Sequence, residues 1–493
     1  MNPLARKQRA LRLFMALATM VTLLVAVGCG SSPIIRPLGG GFTNASLNGP
    51  YVITQTGIGV VQPLVGTGAA PFSETIVLIA DGNRNLTVNV DDFDQVGGPF
   101  GLTSHLTGTY SISSDGTGSL FFNNSNFTIS MIDDSQFYVI ERDAFATASG
   151  FGEKQDTTAF TAAPSGPFVF KAHNISSSSR VGGVTITGGV ISGTEDLLTP
   201  GLLSSSKPIV TAIPMSTPDS NGRGTFTLDD GSSFNYYVVS PGKFHFMSNS
   251  TSGSLEIGQA EAQTGGPFSV ATLAAGTSYV FGSSGDTNFA AGIHSAGVFT
   301  TDGNGNITAG TVDFVQDTTV NSNLLVSGGT YTLDATSGHG EIDLFVSVGT
   351  IKQKFRMVNG TRAYFLTDST AAVEDGTFSL QQGVPFSALG SQAAFVMDGF
   401  DVTFKDRVGA FQPTSSGFKW NQTANAFDST IGIGTRTTTA TNGTAQVSLN
   451  GRVAVTVNGV TNNLVFYLSS PGTGFMVQED ADIGGSFTQQ ASQ

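Results

Sequence analysis

Short stretches in which apolar and polar residues alternate recur along the chain from about residue 46. Residues 106–112, with the sequence LTGTYSI, place apolar side chains at every second position, which is the pattern of a β-strand with one buried face. Seven further stretches of this kind fall between residues 46 and 158, each bounded by Gly, Asn, Asp or Ser. Because the links between them are short, the pattern predicts an antiparallel meander of about eight strands.

The same group of strands occurs four times along the chain. An aromatic-rich strand appears as FYVIERD at residue 137, FHFMSNS at 244, AYFLTDS at 363 and GFMVQED at 474. Each copy is followed by a Gly-containing strand that closes in glutamine, at Gln155, Gln259, Gln382 and Gln490. A fixed period of this size indicates tandem structural units rather than chance similarity.

A second marker appears at a similar spacing. Glycine turns that lead into alternating strands occur at Gly116, Gly222, Gly338 and Gly443. The two markers together divide the chain into repeats at residues 46–158, 159–264, 265–382 and 383–493. Each repeat is long enough to bury a core of its own.

We therefore predict an all-β protein with four tandem antiparallel units. An eight-stranded meander can close into a small up-and-down barrel, which leaves no exposed sheet edge. β-Sandwiches, or one β-propeller with two blades in each repeat, are the alternatives.

The first 28 residues have the features of an export signal. Four basic residues precede an almost uncharged apolar run from Leu13 to Val27, which is shorter than the ~20 residues that a membrane span requires. Cys29, the only cysteine in the 493 residues, follows this run directly. We interpret residues 1–28 as a signal peptide, Cys29 as the site of lipid attachment and residues 29–45 as a linker.

The residues before Cys29, VAVG, resemble the lipobox of bacterial lipoproteins, with Ala26 in place of the usual leucine. Further along, LNGPYVITQTG at residue 47, TDGNGNITAGTVDF at 301 and GGTYTLDATSGHGEIDL at 328 resemble a repeat found in uncharacterised bacterial lipoproteins. This resemblance implies an exported, multi-copy β protein with a lipid anchor. Gly30, which is not the aspartate of inner-membrane lipoproteins, implies the outer membrane or cell surface. No activity comes with the resemblance.

Charge limits the choice of partner. Without residues 1–28 the chain has 18 basic and 36 acidic residues, a net charge of −18. A surface this acidic argues against binding to nucleic acid. The expected partners are the membrane, through the lipid, and an envelope protein or polysaccharide.

The stretch TDGNGNITAG at residues 301–310 has oxygen-bearing side chains at alternate positions, as in a calcium loop. It lies between two apolar strands and matches ADGNRNLT at residue 80, whereas the other two repeats differ there. The bidentate glutamate of a calcium hand is also missing at the required distance. We interpret it as a hairpin turn, in which Asp-Gly and Asn-Gly supply the positive φ angles.

In three of the four repeats, acidic residues follow the aligned hairpin. Asp91, Asp92 and Asp94 form a local trio in the first repeat, and they are weak candidates for a metal site because calcium prefers oxygen ligands. The aligned positions hold Asp196, Asp313 and, in repeat 4, Thr437. Since threonine can replace the aspartate, a hydrogen bond to backbone is the simpler explanation.

Trp420, the only tryptophan, stands in a polar segment, 413–428, that we interpret as an insert in repeat 4. It is a weak candidate for a ligand-binding residue, although an anchoring role in the core is the alternative. The five histidines do not recur at aligned positions, and the sequence shows no nucleophile elbow, P-loop or dinucleotide fingerprint. We therefore expect no bound cofactor.

Three functions fit these observations. The first is a non-catalytic cell-envelope lipoprotein whose repeats serve as a structural, adhesion or interaction module. The second is a binding protein whose barrels hold a small molecule or a glycan. The third is a hydrolase of envelope or extracellular polymers, which would need a serine or a carboxylate pair beside a cleft, most simply where repeats meet.

Replacement of Cys29 by serine tests the lipid anchor. The Cys29→Ser variant should lose metabolic labelling with palmitate and move from the membrane to the soluble fraction, because several acyl chains, each contributing about 0.8 kcal/mol per buried CH₂, hold the native protein. An unchanged membrane fraction in the variant would show that another contact retains the protein.

Overall fold

In the computed structural model, the described residues are 41–491 apart from 61–68, 96–97, 103–104, 175–177, 250–254, 287–291, 317–318, 369–371, 401–402, 415–416, 429–432, 458–463 and 480–481. Cys29 and the proposed signal peptide lie outside these residues. Within the described part, no helix is long and apolar enough to span a membrane. Three short 3-10 helices occupy Asn44–Ser46, Thr157–Thr161 and Val270–Thr272.

Barrel 1 closes through eight antiparallel strands, and a ninth short strand, β4, pairs with β3 beside the main sheet. Its strands are β1 (Asn48–Val60), β2 (Ala69–Asp81), β3 (Asn85–Gln95), β4 (Gly98–Leu102), β5 (Leu106–Ile112), β6 (Thr117–Phe122), β7 (Ser125–Met131), β8 (Gln136–Arg142) and β9 (Ala146–Lys154).

Barrels 2 and 3 are closed barrels in which each strand pairs with the next and the last pairs with the first. Barrel 2 consists of β10 (Gly166–Asn174), β11 (Ser178–Thr187), β12 (Val190–Thr199), β13 (Leu202–Ile213), β14 (Arg223–Leu228), β15 (Ser233–Ser240), β16 (Lys243–Ser248) and β17 (Glu256–Ala262). Barrel 3 consists of β18 (Ser278–Asp286), β19 (Gly292–Thr301), β20 (Asn306–Gln316), β21 (Thr319–Leu333), β22 (His339–Val346), β23 (Gly349–Asn359), β24 (Arg362–Thr367) and β25 (Val373–Leu380).

Barrel 4 has the same strand order. Its strands are β26 (Ala393–Phe400), β27 (Phe404–Thr414), β28 (Gly417–Asp428), β29 (Ile433–Val447), β30 (Arg452–Val457), β31 (Leu464–Ser470), β32 (Thr473–Gln478) and β33 (Ile483–Gln489). The all-β prediction of four antiparallel barrels is therefore confirmed. The interpretation of 413–428 as an insert is wrong, because these residues form the end of β27 and the whole of β28, a regular hairpin of the barrel.

The interior of each barrel is filled by the inward half of the alternating residues. In barrel 3, for example, each of the rings of Phe281, Phe299, Phe365 and Phe378 lies 5.7–6.5 Å, centre to centre, from two of the others. The predicted turn at TDGNGNITAG joins β19 to β20, with Gly303 and Gly305 at positive φ. Asp302 caps this turn itself, because its carboxylate accepts bonds from the backbone N–H groups of residues 304 and 306.

Four apolar clusters lie between barrels, and each joins one barrel to another. Residues of β1–β3 pack against β15–β17, β10–β12 against β23 and β24, β18–β20 against β31 and β32, and β7 and β8 against β26 and β27. The sequence of contacts runs from barrel 1 through barrels 2, 3 and 4 and back to barrel 1. The four barrels therefore form a closed ring.

A glutamine after the last strand of each barrel enters the neighbouring barrel. Its side-chain NH₂ donates to two backbone carbonyl oxygens there, at 2.6–3.2 Å. The four residues are Gln155, Gln263, Gln381 and Gln490. The N–H group of the residue after each of them donates to the same neighbouring barrel, at 2.7–2.9 Å. We call this set of three hydrogen bonds the glutamine clasp; the copy at Gln490 joins barrel 4 to barrel 1.

Three of the predicted marker residues are displaced. The clasp glutamines are Gln263 and Gln381, not Gln259 and Gln382. The turn glycine of repeat 4 is Gly451 rather than Gly443, because it is Gly451 that contacts the glutamine of the clasp. At the equivalent Gly222, with φ +74°, a Cβ atom would lie 2.6 Å from the Phe160 ring and 2.9 Å from the glutamine NH₂ group. No side chain fits in that position.

Replacement of Gln381 tests the clasp. Gln381→Leu should lower the free energy of unfolding by about 1–3 kcal/mol, since it leaves two buried carbonyl oxygens without donors. Urea denaturation measures the change. Gln382→Leu is the matched control, because the adjacent Gln382 side chain is exposed and should tolerate the same substitution. Equal stability of the two variants would contradict the role of the clasp.

Candidate functional site

A cavity of about 700 Å³ lies where the four barrels meet, and every barrel contributes to its wall. We call it the central cavity. It is lined mainly by the first and last strands of each barrel, the pairs β1 with β9, β10 with β17, β18 with β25 and β26 with β33. Side chains that point out of the barrels on these strands cannot reach a barrel core, so they meet one another instead.

The wall of the central cavity differs from barrel to barrel at equivalent positions. The first strand of each barrel has a buried, inward-pointing residue that serves as a reference: Ile53, Phe170, Phe281 and Phe395 in barrels 1 to 4. The residue three positions later lines the cavity, and it is Thr56, His173, Ser284 and Asp398 in the same order. The repeated scaffold therefore presents four different side chains to one space. A wall that served only to pack four barrels together would not require this variety.

One side of the cavity has an ion-paired group. Asp375 lies 3.0 Å from Lys171 Nζ and 3.1 Å from His173 Nδ1. Burial opposes ionisation of Asp375, but the two cationic partners outweigh it and lower the pKa of the carboxyl group. Burial also opposes a charge on His173, and the contact with Asp375 raises its pKa in spite of that. Asp375 is therefore ionised, and its charge is compensated by Lys171 and His173.

A second ion-paired group joins barrels 1, 2 and 3. Glu153 accepts from Lys243 Nζ at 2.9 Å and from His245 Nε2 at 2.7 Å, and the side-chain interactions lower its pKa to about 2 despite burial. Arg362 donates to Glu261 at 2.7 Å and keeps 34% of its side chain exposed. As expected from its position between two core phenylalanines, His245 points away from the aromatic core of barrel 2.

Barrel 4 contributes two carboxyl groups, Asp398 and Asp406, that have no salt-bridge partner within 4 Å among the residues that the structure describes. Burial, with the nearby Asp398, raises the pKa of Asp406 to about 7, and Thr147 Oγ1 of barrel 1 donates to it at 2.5 Å. Burial likewise raises the pKa of Asp398 to about 6. His294 of barrel 3 is 2% exposed, and burial lowers its pKa to about 3. Its ring nitrogens have no hydrogen-bond partner among the described residues. The cavity thus has acceptor groups available to a ligand.

The structure separates the three aspartates that were candidates for a metal site. Asp91 and Asp92 point to opposite faces of β3. Asp91 acts on the buried Glu74 inside barrel 1, where burial and this neighbour raise the pKa of Glu74 well above its usual range. Asp94 is fully buried, and burial raises its pKa to about 7. Within the described ranges, no group of three or more His, Cys, Asp or Glu side chains is arranged to hold a metal.

Asp92 takes part in the contact between barrels 1 and 2. Its carboxylate accepts from Arg223 Nε at 2.6 Å, from Asn235 Nδ2 at 3.1 Å and from the Tyr237 hydroxyl. Between barrels 3 and 4, Asp313 has the equivalent contacts, with Arg452 at 2.7 Å and Tyr467. The aligned aspartates are therefore interface residues rather than ends of isolated hairpins.

The interfaces between barrels 2 and 3 and between barrels 4 and 1 have other residues in place of the aspartate–arginine pair. Asp196 of barrel 2 meets His339 Nε2 at 2.8 Å, and the histidine lowers the aspartate pKa against the effect of burial. In barrel 4 the strand register places Thr423 at the aspartate position, which corrects the alignment with Thr437. The partner of the aspartate in the other interfaces is the arginine or histidine that follows the turn glycine. In barrel 1 this position, after Gly116, holds Thr117. At the interface between barrels 4 and 1, which closes the ring, both positions of the ion pair therefore hold threonine.

Trp420 is a residue of the barrel 4 core. It is 3% exposed, its ring stacks on Phe395 at 4.2 Å, and its Nε1 donates to Gln422 at 3.1 Å. The residues of the central cavity were not predicted individually. Alignment of the first strands could have singled out His173 and Asp398, because their positions hold threonine or serine in the other repeats.

Comparison with known proteins finds no matching family model and no match among curated proteins. Among solved structures, a variant of transferrin binding protein B from Haemophilus parasuis Hp5 has 8% identity and a TM-score of 0.20, over 67% of this chain and 76% of that one. Transferrin binding protein B of isotype 1 from serogroup B Neisseria meningitidis has 9% identity and a TM-score of 0.22, over 68% and 77%. Superpositions this limited do not bear on function.

The pKa of Asp406 can be tested through the pH dependence of stability. A carboxyl group with a raised pKa in the folded state contributes stability that is complete below about pH 4, the unfolded value, and is lost as the pH rises through about 7. Asp406→Asn removes this loss. The free energy of unfolding of the variant, relative to the native chain, should therefore increase between pH 4.5 and 8, by a few kcal/mol at most since each pKa unit is about 1.4 kcal/mol.

Urea denaturation at several pH values measures this difference. Asp229→Asn, at an exposed carboxylate, is the control and should show little change relative to the native chain across the range. A difference between Asp406→Asn and the native chain that stays constant with pH would contradict the raised pKa.

Proposed function

We propose that this chain is an exported, lipid-anchored protein of the cell envelope that binds a small polar ligand in the central cavity and has no catalytic role. One observation carries the proposal: a repeated scaffold surrounds a partly open space of about 700 Å³, and the wall of that space is not repeated. Ligand sites in proteins are typically cavities of ~300–1,000 Å³ with a few convergent polar groups. The volume and the acceptor groups of the central cavity both fit this description.

The barrel interiors support a site between the barrels rather than within one. Apolar side chains fill most of the described cores, together with charged groups such as Glu74 in barrel 1 and Arg180 and Glu195 in barrel 2. The space beside the aromatic cluster of barrel 2 has only about 40 Å³. A volume of that size holds one or two waters. The interior of a single barrel, which the sequence suggested as an alternative binding site, is therefore less suitable than the space between the four.

The envelope location rests on features of the N-terminal sequence and on charge. Cys29 at a lipobox-like site would attach the chain to a membrane, and Gly30 favours the outer membrane. The net charge of −18 after signal removal disfavours nucleic acid as a partner. Both features support a protein that faces the periplasm or the cell exterior.

Interaction with an envelope protein or polysaccharide is a second candidate function. It is favoured by large apolar side chains on the outer surface of barrels 2 and 3, where Leu202, Ile213, Leu325 and Val348 are each more than 60% exposed. These are separate points of apolar contact rather than one patch, since Leu202 and Ile213, for example, are the first and last residues of β13. This function is compatible with a ligand in the central cavity.

A cavity-filling variant tests the proposal. The melting temperatures of the native chain and of Ser284→Phe would be measured with neutral sugars, amino sugars, small diamines and small carboxylic acids. At least one class should stabilise the native chain by mass action, and Ser284→Phe should lose that stabilisation because the ring occupies the cavity. Ser347→Phe, on the exposed surface of barrel 3, is the control and should respond as the native chain does. Equal responses in all three proteins would contradict a site in the central cavity.

A further inference from the structure

Asp398 and Asp406 are direct neighbours across a strand pair. The register of β26 and β27 places the two residues opposite each other, and both side chains line the central cavity. Opposed residues of an antiparallel pair have Cβ atoms about 4.5–5.5 Å apart. The two carboxyl groups therefore lie side by side and face the same space.

His294 lies on the other side of Asp398 from Asp406. We call Asp406, Asp398 and His294 the row. The second cross-strand neighbour of Asp398 is Gly484 of β33, and a Cβ atom at Gly484 would lie 2.4 Å from His294 Nδ1. The absence of a side chain at Gly484 thus allows the histidine of barrel 3 to reach the carboxyl pair of barrel 4. This buried imidazole lines the cavity, and neither of its nitrogens has a hydrogen-bond partner within the described part of the chain.

The charges around this row do not balance when all groups are ionised. The cations that act on Asp398 are Lys171 and His173, and both of them already contact Asp375. With Asp375, Asp398 and Asp406 ionised, Lys171 and His173 face these three carboxylates and also Asp286, which acts on His173. The other cavity-lining cations Lys243 and Arg362 are paired with Glu153 and Glu261. Among the described residues, the hydrogen-bond donors to Asp406 are the neutral hydroxyls of Thr147 and Ser149. The cavity therefore has room for one more positive charge beside Asp398 and Asp406.

We propose that the ligand of the central cavity has a primary ammonium group, which binds between Asp398 and Asp406 with a ring nitrogen of His294 as a third acceptor. An ammonium group has three N–H donors and no acceptor, so it matches three acceptor groups in one row. Hydrogen bonds between charged groups are also about twice as strong as neutral ones. The class of ligand is a small aliphatic amine or an amino sugar. This inference rests on the proposed function and specifies its ligand.

Two matched pairs of probes separate charge from shape. Isothermal titration at pH 8 would compare 1,4-diaminobutane with butane-1,4-diol, and glucosamine with glucose. The amine of at least one pair should bind at least tenfold more tightly than its neutral partner. Asp398→Asn and Asp406→Asn should each reduce that affinity roughly tenfold or more, because a charge-assisted contact is worth at least ~1.4 kcal/mol. Asp229→Asn, on the exposed surface, should leave the affinity unchanged.

The outcomes distinguish this inference from the proposed function. If a neutral probe binds as tightly as its amine, or if both asparagine variants retain native affinity for the amine, the ammonium site is wrong and the central cavity binds by other contacts. If none of the four probes binds, the ammonium site is overturned, and the wider panel with Ser284→Phe decides whether the cavity is a binding site. If Ser284→Phe binds the amine as well as the native chain does, the amine site lies elsewhere.

Discussion

The association of the four barrels depends on the fact that a closed sheet has no free edge. Strand pairing uses the backbone groups of each barrel within that barrel, so neighbouring barrels cannot join by strand addition. They are connected instead by side chains and by the glutamine clasp, which supplies three hydrogen bonds at every interface. At three interfaces the clasp lies on the chain that links two barrels. At the fourth, Gln490 and Ala491 make the same bonds to barrel 1 without a covalent link.

The ring geometry determines where polar residues can gather. Outward-facing residues of the first and last strands are too far from a barrel core to pack there, and the apolar clusters between barrels take only some of them. The remaining positions face the central cavity, where they need not preserve either a core or a surface. Thr56, His173, Ser284 and Asp398 differ for this reason, whereas their inward-facing neighbours are all large and apolar.

The sequence predicts much of the fold because the fold is local. Alternation in stretches such as 106–112 identifies strands, and the Gly turns at Gly116, Gly222 and Gly338 identify the repeats. Gly451 was missed because the arginine that follows it, which pairs with Asp313, has no counterpart after Gly116 in repeat 1. Trp420 was placed in an insert because lysine, asparagine and glutamine surround it. In β28, Lys419 and Asn421 alternate outward while the indole ring fills the barrel, and Gln422 shares the inward face and accepts a hydrogen bond from Trp420.

The candidate site could not be predicted in the same way. Asp398, Asp406 and His294 are distant or unremarkable in the sequence, and they meet only because barrels 3 and 4 pack side by side and Gly484 lacks a side chain. The Asp91, Asp92 and Asp94 trio shows the opposite case. Adjacent residues of a strand point to opposite faces, so these aspartates are close in the sequence but do not form one cluster in the structure.

Closure of the ring is the claim on which the cavity and its ligand depend, and small-angle X-ray scattering of residues 37–493 tests it most directly. A compact body of this length should have a radius of gyration of about 23 Å. The closed ring predicts a value near this one and a single-peaked distance distribution. A value well above ~30 Å, with the long tail of an extended row of barrels, would contradict ring closure and remove the central cavity with it.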